Sequence, residues 1–425
     1  MLSSPHGTWK LSPPIFEMYF WCMFRILLSS LLVVWCAWVQ AQSLQLTDSS
    51  EVSLVTCGPG EELYEAFGHT AIRVHDPLKG FDVVFNYGTF DFNQPNFYWN
   101  FVTGRSMYML ATNRYSNFVR SYEYYNRSVR EQFLNLSLEQ RQHLLDRLMW
   151  NARPENREYL YDYFFDNCST RPRDVILEAL EGSVGFDTTY LPDDRLSIRE
   201  LTDLYIIKSQ PWGDLGIDLC LGTRIDQPAT AMQYMYLPEK LEEAFDHAYI
   251  VKDGVQIPLV SHRQTTYQAQ KVVEEKSWFV PQIVFVALLL ISAVFLTIFR
   301  VAGKSTRIFD GLVFMITSFI GFNGVFLWFF TNHYAADFNW NILWALPTNA
   351  IFGFAIMKKQ RPVWTRFYAL FLIVLYAGML IGWNYMPQLL HFSLKFLVLL
   401  LLFIAVGVFR MSGRKPVLRN APERS

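Results

Sequence analysis

The sequence is short of cysteine and has no surplus of either charge, and each shortage removes a class of function. Only five of its 425 residues are Cys. No two are spaced as CxxC, so neither a zinc ribbon nor a thioredoxin-type pair is encoded. HExxH and GxSxG are absent as well, which removes the usual zinc hydrolase and serine hydrolase signatures. Lys and Arg number 37 against 38 Asp and Glu, so no basic footprint for nucleic acid is present. Gly303-Lys304-Ser305-Thr306 resembles the end of a phosphate-binding loop. It lacks the Gly five residues earlier and follows an apolar run rather than a strand. What is present is apolar mass: 52% of residues are hydrophobic and 17% aromatic. That is too much for an ordinary soluble enzyme and too little for a pure membrane bundle.

The apolar residues are not spread evenly. Arg25 precedes ILLSSLLVVWCAWV, and Val39-Gln40-Ala41 fits a signal-peptidase site. Residues 1–41 are expected to be a signal peptide, with Met18 or Met23 as alternative starts and an uncleaved anchor as the rival reading. Cys36 lacks the small neighbours of a lipobox. Cys22 and Cys36 leave with the signal, so Cys57, Cys168 and Cys220 remain. An odd count in an oxidising compartment leaves at least one thiol free. Cys57 with Cys220 is the candidate bridge, and Cys168 the candidate free thiol.

Residues 42–277 read as exported and soluble, divided into a catalytic region, 42–182, and an accessory region, 183–277, that serves as a lid or a docking element. SLVTCG, HTAIRVHD and DVVFNYGTF read as strands between turn signals, the last two as a hairpin. Ser137 with Gln140 opens a helix that carries Leu144, Leu145, Leu148 and Met149. From 278 five apolar spans follow, 278–299, 311–330, 342–357, 367–383 and 392–409, the third of them short. Arg300, Lys304 and Arg307 mark one loop; Lys358, Lys359, Arg361 and Arg366 mark the next but one; residues 411–425 form a basic tail. The alternate loops, 331–341 and 384–391, carry no Lys or Arg. The positive-inside rule places the tail in the cytoplasm and the soluble region outside.

The stretch Tyr161–Asp174, YDYFFDNCSTRPRD, sets Cys168 before a helix start. Thr170 can cap that helix, and Pro172 is tolerated in its first turn. The helix dipole, Arg171 and Arg173 all favour thiolate. A thiol nucleophile needs a base. His143, His247 and His262 lie in polar surroundings and His75 in a turn. His69 follows Gly68 at a strand start and is the candidate. A metal set of His69, His75 and Cys57 matches no common zinc spacing, and no metal is expected. On the bland reading, Cys168 is a buried apolar residue or half of a disulfide.

FGHTAIRV, FNYGTFDF and YDYFFDNCSTRPRDVI, in that order, resemble the N-terminal domain of the Lnb family of lipoprotein N-acyltransferases. PWGDLGIDLCLG, YLPEKL and FFTNHYAADFNWNILWALPTN resemble it too, so the likeness runs from about residue 50 to 400. His before Cys, with Asn-Cys at a helix start, is also similar to the permuted papain-like group that includes lecithin:retinol acyltransferase. The resemblance implies an α+β periplasmic domain of permuted papain-like fold, followed by an all-α five-helix transmembrane bundle in the bacterial inner membrane. It implies that Cys168 is the nucleophile and His69 the base. A third member is left open among Asn86, Asp91 and Asn167. Asn167 can instead cap the helix or share an oxyanion site with the Cys168 N–H. Tyr64 and Tyr87 can each place a hydroxyl near the site or pack in the core. The implied reaction moves an acyl chain from a membrane phospholipid, through a thioester, to the terminal amine of a diacylated lipoprotein. It needs no cofactor. The loop with His333, Asn339 and Asn341 is the expected acceptor side, or else an interfacial anchor through Tyr334 and Trp340. The rivals are a cell-wall cysteine peptidase or amidase, and a non-enzymatic envelope adaptor.

Overall fold

A computed structural model describes residues 21, 23–25, 44–252, 254–271 and 277–412. The cleavage site at Ala41, the start at Met18 and the basic tail beyond 412 lie outside the described residues. Met1–Leu46 and Thr47–Ser425 are two compact units. In the first, Trp21 and residues 23–25 are helical, and the Trp21 and Phe24 rings meet edge to face.

The second unit opens with β1 (Glu51–Cys57), β2 (His69–Asp76), β3 (Phe81–Thr89), α1 (Phe97–Val102), β4 (Met107–Arg114), α2 (Tyr115–Tyr124), β5 (Val129–Leu134), α3 (Leu138–Asn151), β6 (Glu158–Leu160) and α4 (Thr170–Ala179). There follow β7 (Val184–Phe186), α5 (Ile198–Ile206), α6 (Pro211–Cys220), α7 (Ala231–Tyr234), α8 (Pro238–Asp246), β8 (Ala248–Lys252), β9 (Val255–Pro258) and β10 (Val260–Tyr267). The expected hairpin is present as β2 and β3. Ser137 and Gln140 form a reciprocal capping box at α3, as their spacing predicts. Met149 of that helix is exposed, while Leu144, Leu145 and Leu148 are buried.

Seven strands form one antiparallel sheet in the order β10-β5-β1-β2-β3-β4-β6, and β7-β8-β9 form a small second sheet. The accessory region therefore supplies an edge strand, β10, to the sheet of the first region. Side chains alternate faces along each strand. Val55, Cys57, Ala71 and Val84 share the face covered by Phe118 and Val119 of α2. Arg130 and Gln132, on the opposite face, bind Glu242 and Asp246 of α8.

The helical part comprises α9 (Pro281–Val301), α10 (Arg307–Phe330), α11 (Asn349–Met357), α12 (Trp364–Ile381) and α13 (Leu394–Ser412). Among the described residues four helices are long and apolar enough to span a membrane, and α11 is not one of them. The expected third helix, 342–357, is thus corrected to a broken segment. Pro347 lacks an N–H and interrupts it, with a 3-10 turn over Trp340–Leu343 before the break. The segment still follows α10 antiparallel. Ile342 lies by Gly324, Ala345 by Gly321, and Gly353 and Met357 by Gly311. Those glycines span about 20 Å of α10 at 1.5 Å per residue. The irregular backbone is served from within: the Tyr376 hydroxyl of α12 donates to the Trp344 carbonyl at 3.2 Å and receives Asn349 Nδ2–H at 3.1 Å. Such a break is tolerated at membrane depth when it is enclosed by protein.

The soluble part is fastened to the helical part along α6 and the loops beside it. Asn341 Nδ2–H donates to the Asp218 carbonyl, Asn339 Nδ2–H to that of Leu219 and Gln388 Nε2–H to that of Leu221, at 2.7–2.8 Å. Arg224 reaches Asp337 at 3.2 Å. Of the two roles expected for the accessory region, docking is the one its contacts fit.

Candidate active site

Because β2 and β3 are antiparallel, the start of one and the end of the other lie at the same end of the sheet. His69 opens β2, opposite Cys57 of β1. Asn86 closes the regular part of β3, just before a register shift. Gly68 makes the entry to β2: its φ is +80° and a Cβ there would stand 2.5 Å from the Cys57 carbonyl oxygen. His69 Nε2–H donates to Asn86 Oδ1 at 2.5 Å. That bond fixes the ring and the tautomer and leaves Nδ1 with its lone pair.

The start of α4 meets the same end of the sheet. Gly88, at φ +87°, has no Cβ, and one placed there would come within 3.1 Å of Cys168 Cβ. Thr70, the residue after His69, meets Ser169, the residue after Cys168, hydroxyl to hydroxyl at 3.1 Å. The Thr70 N–H, the Cys168 N–H and the hydroxyls of Ser169 and Tyr161 lie close enough to the Cys168 sulfur to favour its anion. Tyr161 is itself held by stacking on Tyr108 with ring centroids 4.0 Å apart.

Burial dominates the titration of both groups. It pushes the Cys168 thiol above its ordinary 9.0, although the surrounding donors pull the other way. It pulls His69 down to about 4; the Asn86 bond opposes this and the charge of Arg127 adds to it. Both shifts favour thiol and neutral imidazole at rest, the opposite direction to the thiolate that the helix dipole and the arginines are expected to favour. The arginines expected to favour thiolate are committed elsewhere. Arg171 forks onto Asp166 and lies over the Tyr159 ring. Arg173 bonds Asp174 at 2.7 Å and the Met232 carbonyl at 2.8 Å.

The other expected residues separate. Asn167 caps α4: its Oδ1 accepts from Ser169 N–H and Thr170 N–H. Its Nδ2–H bonds go to the Tyr163 and Tyr236 carbonyls, so both donors are used and none faces an oxyanion. Thr170 receives the Asn167 N–H and is the first helical residue rather than the cap. Asp91 binds Asn93 in an exposed loop. Tyr87 points to the sheet face opposite Asn86, where its hydroxyl receives Asn151 Nδ2–H at 2.6 Å; it is a core residue. Tyr64 is exposed and meets Phe90 edge to face. Asn339 and Asn341 are buried and bond the Leu219 and Asp218 carbonyls. His333 bonds the Phe101 carbonyl at 3.0 Å, and Asn332 N–H bonds that of Thr103 at 2.9 Å, so this loop meets α1. Phe165, three residues before Cys168, touches Tyr334 of the same loop.

Cys57, Cys168 and Cys220 are all free, so the expected bridge is absent. Cys57 is buried beside Tyr122, and burial raises its pKa to about 12. His75 stands at the far end of β2 near Glu51, away from His69 and Cys57.

Tyr161, Thr70 and Gly88 were not singled out from the sequence. Tyr161 is one of several aromatics in its run, and only the fold shows which hydroxyl meets the sulfur. Gly88, inside FNYGTFDF, was a findable signal, since glycine within a strand marks close backbone approach.

Two family models match the chain. The Lnb N-terminal periplasmic domain covers residues 38–203, and the Lnb transmembrane domain covers residues 273–415. No curated protein and no solved structure matches it.

Proposed function

Because the chain belongs to the Lnb family, with a periplasmic domain joined to a membrane domain, we propose that it is a thiol acyltransferase acting on lipoprotein N-termini, with Cys168 as nucleophile, His69 as base and Asn86 as the group that orients His69. The observation that carries this reading is the His69–Asn86 bond at 2.5 Å, on strands whose ends pack against Cys168. A cysteine nucleophile, an imidazole and an orienting side chain are the parts that acyl transfer through a thioester requires.

The reaction balances with these groups alone. Cys168 Sγ–H gives its proton to His69 Nδ1 as sulfur attacks the phospholipid ester carbonyl. The lysophospholipid alkoxide leaves with that proton, and a thioester remains. The α-amine of the acceptor's terminal cysteine then attacks the thioester, losing a proton to His69. The thiolate leaves and is reprotonated. Because the resting pair is neutral, charge appears only as the ester docks. The Thr70 N–H and the Tyr161 and Ser169 hydroxyls are already in place to stabilise the sulfur anion.

The setting suits lipid. Tyr98, Trp99 and Phe101 of α1 are exposed, as are Phe329 and Phe330 at the end of α10, and Trp99 meets Phe326 of α10. Aromatic belts of this kind lie at the membrane surface. The loops on the side of the soluble part, 331–341 and 384–391, lack Lys and Arg, whereas the loops at the opposite ends carry them. This supports an inner-membrane protein with a cytoplasmic C-terminus, in which 342–357 crosses as a fifth, broken segment. Holding the domain at the membrane surface raises the encounter rate of a lipid ester and a lipoprotein amine with Cys168. Intact-mass analysis of lipoprotein N-terminal peptides tests the reading. Cells with the protein should yield N-acylated peptides, and cells with Cys168→Ala at equal protein level should not. Full N-acylation with Cys168→Ala refutes it.

A further inference from the structure

A buried acidic cluster sits where α6 meets the membrane domain, in neither of the roles described so far. Asp214 and Asp218 are one turn apart on α6 and share a face. His391 comes from the loop before α13. One ligand-type atom of each lies within 4.8 Å of the others, and His391 Nε2 is 3.3 Å from Asp214 Oδ2. Asp214 is only 2% exposed, and its Oδ1 is buried with no hydrogen-bond partner. A carboxylate oxygen in that state is strongly unfavourable unless positive charge faces it.

Arg199 does not supply that charge to Asp214. Its Nη1–H donates to Asp218 and its Nε–H to Asp226, each at 2.5 Å. Its Nη2 donates to the Leu221 and Gly222 carbonyls. Asp203 of α5 adds another carboxyl, which shares a side-chain hydrogen bond with Asp214. Four carboxyl groups thus surround a single guanidinium that is already committed.

We propose that Asp214, Asp218 and His391 bind a divalent transition-metal cation, of the Zn2+ or Mn2+ class, that clasps α6 to the membrane domain. Two carboxylate oxygens and an imidazole nitrogen suit these ions, whereas Ca2+ and Mg2+ prefer all-oxygen sites. The Ser393 hydroxyl lies 2.6 Å from His391 Nδ1. The Ser393 N–H also donates to Nδ1 at 3.2 Å, so the metal-free ring carries its proton on Nε2, facing Asp214, and a bound metal replaces that proton; without a metal that proton balances the cluster. The clasp holds the soluble domain to the bundle and does no chemistry, so it stands whatever Cys168 does.

Full-length protein in detergent is stripped with a chelator, incubated with Zn2+ or Mn2+ and desalted. Retained metal is read by elemental mass spectrometry, and the thermal midpoint by scanning unfolding. The expected result is about one equivalent retained, with a raised midpoint that chelator reverses. Asp214→Asn and His391→Gln should retain less than about a tenth of that, while Cys168→Ala retains all of it. A wild-type protein that holds no stoichiometric metal and whose midpoint ignores both metals overturns the proposal and assigns the balance to protons. Equal retention by the two variants overturns it as well.

Discussion

The protonation state of Cys168 can be read directly by alkylation. Burial raises its pKa and lowers that of His69 to about 4, so the sulfur is expected to rest as thiol at pH 7. A thiolate–imidazolium pair would instead be almost fully ionised there. The rate of iodoacetamide labelling, measured on the peptide that contains Cys168, should rise about tenfold per pH unit from 6 to 9. Reading that peptide excludes signal from Cys57 and Cys220. His69→Ala should change the rate at pH 7 by no more than about twofold, since no imidazolium is there to be lost. A rate that is flat between pH 6 and 9, or one that collapses in His69→Ala, would refute the neutral resting pair.

Other consequences are open to measurement. Asn86→Ala should lower the rate of acyl transfer by about 10–100-fold with little change in the amount of folded protein, because it frees the ring without removing the base. Gly88→Ala should destabilise by about 1–3 kcal/mol through its φ of +87° and the close Cys168 Cβ, read as a lower thermal midpoint. For His69 the folded pKa near 4 lies below the ordinary 6.5. The unfolded chain therefore takes up its proton first as pH falls. The contribution is complete above pH 6.5 and declines toward pH 4, by at most about 3 kcal/mol before solvent screening is allowed for. His69→Gln should flatten that part of the stability profile. Asn341→Ala removes the donor to the Asp218 carbonyl and the acceptor of Trp344 Nε1–H, and should cost about 1–3 kcal/mol.

What could be read from the sequence was whatever is encoded locally. Alternation and turn chemistry located β2 and β3, and the spacing of Ser137 and Gln140 located the start of α3. Gly68 before a strand singled out His69, which the fold does bring to the end of the sheet that Cys168 meets. That Asn86, rather than Asp91 or Asn167, meets His69 depends on strand pairing, a long-range property. Asn86 and Tyr87 are adjacent in sequence, yet the pleat sends one toward His69 and the other to Asn151. Hydropathy could not reveal that Pro347 breaks 342–357, because composition alone does not report helix continuity. Charge counting could not show that Arg171 and Arg173 have carboxylate partners, which are visible only in the fold.

The central claim is that Cys168 carries the acyl group. The most direct measurement is intact and peptide mass spectrometry of the purified protein after incubation with phospholipid in the absence of acceptor. The account predicts an acyl adduct on the peptide containing Cys168, removed by hydroxylamine, discharged by a diacylated lipopeptide and absent from Cys168→Ala. No adduct on Cys168, in a preparation that still N-acylates the lipopeptide, would contradict it.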